Sequence, residues 1–146
     1  MNTKIKRATM LNIDTTRSIF HDIQNIKPST QQMHNYVNSL SKEYYTVLAT
    51  VFELGRTGWE RDYYDTNKYI EFMEDMAADG VEVTQKMLDD TFLPKKLRQK
   101  QIDDMYHFKL VDAIKHDGVY SHNWLSLKTN LISAASDGIS MLHEAI

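Results

Sequence analysis

The chain has 146 residues, 42% of them hydrophobic and 25% charged, which suits one domain with its own core and excludes a disordered segment. A formal charge of −3 and an isoelectric point near 6.0 argue against general nucleic-acid affinity. Cysteine is absent, so disulfides, zinc–thiolate sites, iron–sulfur clusters and cysteine nucleophiles are excluded, and no run reaches the ~18 apolar residues of a membrane span. No apolar segment follows the charged start at Lys4, Lys6 and Arg7, so a signal peptide is not expected and the cytoplasm is the default compartment.

Helical spacing governs the chain. Asp14 precedes Ile19, Phe20, Ile23 and Ile26, which recur as one stripe up to Pro28. Ser29-Thr30-Gln31-Gln32 reads as a capping box, with Ser29 as the cap, ahead of the stripe Met33, Tyr36, Val37 and Leu40. Ser41 is the next N-cap. Tyr44, Tyr45, Val47, Leu48, Val51, Phe52 and Leu54 then make a helix apolar around much of its circumference, the mark of a central element. Gly55 stands where a left-handed C-cap is wanted, which predicts a positive φ there. Trp59, Tyr63, Thr66, Ile70, Met73 and Ala77 predict a further helix of about five turns, stopped by Gly80. Leu48, Val51, Phe52, Ile70 and Met73 are the expected core.

Val81 to Leu88 fits either a short helix or an extended segment. Leu93-Pro94 places proline at the first position of the next helix, which runs from Leu97 through Ile114 to Gly118. A last helix starts near Ser121 and carries Trp124, Leu125, Leu131, Ile132, Ala135, Ile139 and Leu142. Its small residues Ser133, Ala134, Ala135, Ser136 and Gly138 leave room for another helix to approach closely. No long alternation of β-branched residues and no internal repeat is present. The expectation is an all-α fold over residues 1–146, a single compact bundle of about six or seven helices.

Within this pattern Leu40-Ser41, Leu54-Gly55-Arg56 and Leu93-Pro94 are familiar in their order. From about Leu40 to Arg98 the chain resembles a small bacterial helical domain family without an established activity. Its members have a Leu-Ser helix start, a helix ending in Leu-Gly-Arg-Gly, a second helix, a short helix and a Leu-Pro break. Thr57 stands where the family usually has the second glycine. The resemblance implies a helical fold and no particular chemistry.

Six histidines raise a metal hypothesis. Asp103 with His107, and Asp112 with His116, are each spaced to share one helix face. The two pairs are half a turn out of phase, and Asp–His hydrogen bonds on solvated faces are the plainer explanation. Glu60, Asp62 and Asp65 could do acid–base work, but acids at a helix start also simply complement its dipole. Arg56 could clamp an anion, or tie its turn to a nearby acid.

Charge distribution is the most distinctive feature. Residues 43–90 hold twelve acidic and four basic residues, net −8, against −3 for the whole, so the remainder carries +5. Trp59, Tyr63, Tyr64, Tyr69 and Phe72 lie among the acids, and Tyr and Trp are the usual interface anchors. Lys95, Lys96, Arg98 and Lys100 cluster at a helix start, where the dipole disfavours cations.

Together these residues favour a non-enzymatic interaction protein. An acidic, tyrosine-rich face over residues 53–90 would meet a basic protein surface through Arg56, Trp59, Asp62, Tyr64, Asp65 and Glu71, with Lys95, Lys96 and Arg98 as a second contact region. A regulator or inhibitor of a nucleic-acid-handling complex fits, and a phage or mobile-element origin is compatible with its compactness. Direct nucleic-acid binding, a membrane and a cofactor are not expected. The alternatives are a subunit that assembles with its own copies through the −8 and +5 regions, and a metal- or acid-dependent helical hydrolase using Asp103, His107, Asp112 and His116.

Overall fold

Helix α3 (Lys42–Thr57) runs through the centre of the fold. In a computed structural model that describes residues 11–60, 62–63, 66–115 and 123–145, every residue from Tyr45 to Phe52 is buried. Ser41 caps this helix by accepting the Tyr44 amide, as its sequence position predicts. The two buried threonines need no outside partner: Thr46 donates to the Lys42 carbonyl and Thr50 to that of Thr46, both at 2.6 Å.

Around α3 lie α1 (Ile13–Ile23), α2 (Gln31–Ser39), α6 (Lys95–Lys115), α7 (Asn123–Ser126) and α8 (Leu131–Ala145). The most extensive packing is α3 on α8, followed by α3 on α6. Between α3 and α6 the chain makes a separate excursion: strand β1 (Asp62–Tyr63), α4 (Thr66–Ala78), α5 (Gln85–Thr91) and strand β2 (Phe92–Leu93). The two strands pair in parallel, Asp62 with Phe92 and Tyr63 with Leu93. The fold is all-helical apart from this pair, with eight helices among the described residues. That exceeds six or seven because the last expected helix is broken at residues 127–130 into α7 and α8. Gly118 and Ser121 lie outside the described residues.

Gly55 departs most from expectation. It is not a C-cap and has no positive φ; α3 continues through it to Thr57, and Gly58, with φ 79°, ends the helix. The reason for glycine is close approach. A Cβ at Gly55 would lie 1.7 Å from the Ala134 carbonyl oxygen of α8, and a Cβ at Gly138 would lie 1.8 Å from the Val51 carbonyl oxygen of α3. The small-residue stretch of α8 thus receives the backbone of α3 directly. The Leu54-Gly55-Arg56 turn expected from the family resemblance is part of a continuous helix.

Other boundaries shift for local reasons. Asn12 caps α1, its side chain accepting the Thr15 amide at 2.8 Å, and Asp14 falls in the first turn. Thr30, not Ser29, caps α2, because Ser29 has φ 67° and Thr30 has the extended geometry a cap requires. Pro94 is one residue short of its helix, and its carbonyl accepts the Leu97 and Arg98 amides at 2.9 and 3.0 Å. The expected helix from Trp59 begins only at Thr66, after β1. Its inward side is Tyr69, Phe72, Met73 and Met76, so the stripe is displaced by about one residue, roughly 100° of helix. Ile70 is therefore 46% exposed and not core, and Met73 is half-buried, whereas Leu48, Val51 and Phe52 are buried. Gly80 does stop α4: with φ 71° it donates to the Ala77 carbonyl while Val81 donates to that of Met76. Residues 81–84 form neither helix nor strand, and Thr84, in extended conformation, then caps α5.

Candidate protein-binding surface

The excursion α4–α5 carries the acid block. Residues 66–91 hold seven acidic residues and two lysines, net −5. No described side chain in either helix is buried. The hairpin is held at its base, where the Tyr69 and Phe72 rings meet buried Phe92 at 6.1 and 5.5 Å, and where β1 pairs with β2. Phe72, Met73, Met76, Met87 and Leu88 are only half-buried.

On α5 the acids are partly engaged within one turn: Lys86 meets Asp90 at 2.6 Å, and Gln85 donates to Asp89 at 2.9 Å. Glu71, Glu74, Asp75, Asp79 and Glu82 are exposed and form no ion pair among the described residues. Exposed Ile70 and Val81 lie among them. The surface therefore offers negative charge around accessible apolar side chains.

The expected site residues divide. Glu71 is exposed on α4, within this surface. Arg56 is exposed but held by Glu53, its Nε donating at 2.8 Å, and its guanidinium lies 5.7 Å from the Phe52 ring centroid. Trp59 is half-buried against the core, with the Arg98 guanidinium 5.6 Å from its ring centroid. Arg98 is 1% exposed and thus does not belong to an exposed basic cluster; Lys96 is exposed, and Lys100 pairs with Asp104 at 2.6 Å. Asp62 is described through its backbone in β1 and Lys95 through its backbone in α6, while Tyr64 and Asp65 lie outside the described residues. Of the acids expected at a helix start, two are not at one: Glu60 is in the link after α3, where its amide donates to Gln101 at 3.1 Å, and Asp62 is in a strand.

Asp103, His107 and Asp112 are all on α6, and His116 lies outside the described residues. Among the described residues no group of three or more His, Asp or Glu is placed to hold a metal ion. No described helix is long and apolar enough to cross a membrane.

One feature of this region leaves no trace in sequence spacing. Glu53 accepts from Lys109 at 2.9 Å as well as from Arg56, and both Glu53 and Lys109 are largely buried. Lys109 also lies 4.6 Å from the Trp124 ring centroid, and Trp124 meets Phe52 edge-on at 5.7 Å. This cluster ties α3, α6 and α7 together. Burial pushes the Glu53 carboxyl up, but its hydrogen bonds to Lys109 and Arg56 and their charges outweigh that and leave its pKa below the ordinary carboxylate value. The sign of the pH effect follows. Glu53 contributes stability above the unfolded carboxylate range, near ~4.3, and that contribution is lost as pH falls through the lower folded value. Urea midpoints of wild type and Glu53→Gln should differ clearly at neutral pH and converge as pH falls below the ordinary carboxylate range. A gap that stays constant with pH would show that the charge of Glu53 is immaterial.

A groove of about 450 Å³ beside α6, lined by Glu53, Glu60, Asp104, Met105 and Phe108, is a weaker surface for a basic partner. Glu53 already holds two cations and Asp104 holds Lys100, so the hairpin has the greater uncompensated charge. Comparison with known proteins returns no match for the chain, neither a family model nor a curated protein nor a solved structure.

Proposed function

We propose that the chain is a non-enzymatic binding protein that presents the α4–α5 hairpin to a basic surface on a protein partner. The observation that carries this is a hairpin of net −5 whose described side chains are all at least partly exposed. A hairpin serving only the core would turn its apolar side chains fully inward. Here Ile70 and Val81 stand among free-standing carboxylates, and charge of one sign around an apolar anchor steers a partner in and then holds it. Proteins that handle nucleic acid have basic surfaces of the complementary kind, and occupying such a surface would regulate or inhibit them.

The test is binding kinetics against a partner recovered by pull-down from the native host. Neutralising Glu71, Glu74 and Asp75 together should slow association, and the wild-type association rate should fall as salt rises. Ile70→Ala should instead speed dissociation. Both variants should keep the wild-type melting temperature within a few degrees, since they alter exposed residues. Wild-type kinetics in both would remove the hairpin from the interface.

A further inference from the structure

A second surface has the opposite character. Along α1, Arg17, His21 and Gln24 follow at i, i+4 and i+7. Along α8, Ser136, Ser140 and His143 follow at the same spacing. Such spacing puts each set on one helix face, and α1 packs on α8. The two stripes line a groove of about 330 Å³ with half-buried Phe20 and Ile139 as its apolar part. That volume is at the lower end of the ~300–1,000 Å³ typical of small-molecule sites.

No carboxylate among the described residues lines the groove. The acids of the two helices are elsewhere: Asp22 accepts from the Tyr36 hydroxyl at 3.0 Å, and Asp14, Asp137 and Glu144 are not among the lining residues. The guanidinium is the one charged side chain other than histidine on the lining, and two imidazoles, two hydroxyls and an amide that can donate surround the same space. Each histidine sits in the last turn of its helix, where a cation complements the dipole. The dipole does not account for Arg17, one turn earlier on the same stripe as His21.

His143 is also oriented. The buried Thr16 hydroxyl lies 2.9 Å from the Asn12 carbonyl and 3.0 Å from that of Ile13, so its proton is used there. The same oxygen lies 3.4 Å from His143 Nε2, so the contact holds the inner end of the ring.

We propose that this groove binds a small organic oxyanion, a carboxylate or a phosphate monoester. Arg17 takes the oxyanion in a bidentate contact, the Ser136 and Ser140 hydroxyls and the His21 imidazole add donors, the His143 ring closes the α8 side, and the apolar body of the ligand lies on Phe20 and Ile139. The proposal is independent of the hairpin and its partner.

The experiment is an NMR titration of the full chain, following the histidine ring signals with phenylacetate, phenyl phosphate and inorganic phosphate as probes. At least one of the two aromatic anions should shift His21 and His143 saturably while leaving His34 and His107 in place. The better of the two identifies the oxyanion, and inorganic phosphate should bind more weakly than phenyl phosphate because it has no apolar body. Arg17→Gln should weaken binding about tenfold or more, the loss expected for a charge-assisted hydrogen bond, without changing the far-UV circular dichroism. Arg17→Lys, which keeps the charge but not the fork, should fall between. Shifts that never saturate, shifts shared by all histidines, or an Arg17→Gln chain that binds like wild type would overturn the proposal.

Discussion

Gly138→Ala should destabilise the protein by more than about 3 kcal/mol, at the upper end of what overpacking costs. The sign is the informative part. Gly138 lies inside α8, where helix propensity alone favours alanine by roughly 1 kcal/mol. The added methyl would meet backbone: the Val51 carbonyl oxygen at 1.8 Å, its carbon at 2.6 Å and the Gly55 nitrogen at 3.0 Å. A side chain can rotate away from a methyl group, but a helix backbone can yield only by moving as a whole, and α3 carries much of the core. Gly55→Ala should behave alike. The double variant should cost less than the two single losses combined, because helices already separated for one methyl accommodate the second. Gly80→Ala is the control. Its φ is 71° and a Cβ there meets nothing within 4 Å, so it should cost only the roughly 1–2 kcal/mol of left-handed strain. Chemical denaturation of the four variants measures all of this. A stabilised Gly138→Ala would mean that α3 and α8 do not approach as described.

Phe52→Ala should cost about 3–5 kcal/mol, the range for removing a buried phenylalanine. Phe52 is fully buried on α3 and meets the edge of Trp124 on α7. Such ring pairs add about 0.5–1.5 kcal/mol beyond burial. Its loss would also disturb Trp124, whose ring lies under both Lys109 and Lys128, at 4.6 and 5.2 Å. Phe52→Leu keeps most of the volume and should cost less than about 1.5 kcal/mol. Urea midpoints followed by circular dichroism and by tryptophan emission should agree for both. A Phe52→Ala loss below about 1 kcal/mol would remove Phe52 from the centre of the core.

The parts of this fold that could be read in advance are those whose cause is local. Leu48, Val51 and Phe52 belong to a helix apolar on nearly every side, and only a central position suits such a helix. Ser41 and Gly80 act as caps because capping depends on neighbours within one turn. Gly55 was opaque for the opposite reason: a glycine after an apolar run looks the same whether it turns the chain or admits another backbone, and only the position of Gly138 separates the two. A two-residue strand has no period to detect, so β1 and the late start of α4 were hidden with it. The acid block was visible because net charge is a property of composition over a window. The engagement of Glu53 by Lys109 was not, since 56 positions separate them and no spacing rule spans that distance.

The parallel pairing of Asp62 with Phe92 brings the two ends of the excursion to neighbouring strands, about 4.8 Å apart. The segment between them leaves the body of the protein and returns to almost the same point. Since none of its described helical side chains is buried, its opening would expose little apolar surface and would require far less free energy than global unfolding. Substitutions within it can accumulate without disturbing the contact between α3 and α8. Its length, charge and outward side chains are free to drift while the helices beneath keep their packing. Under the proposed binding role, recognition and folding are carried by different stretches of one short chain, joined at a clasp two residues wide.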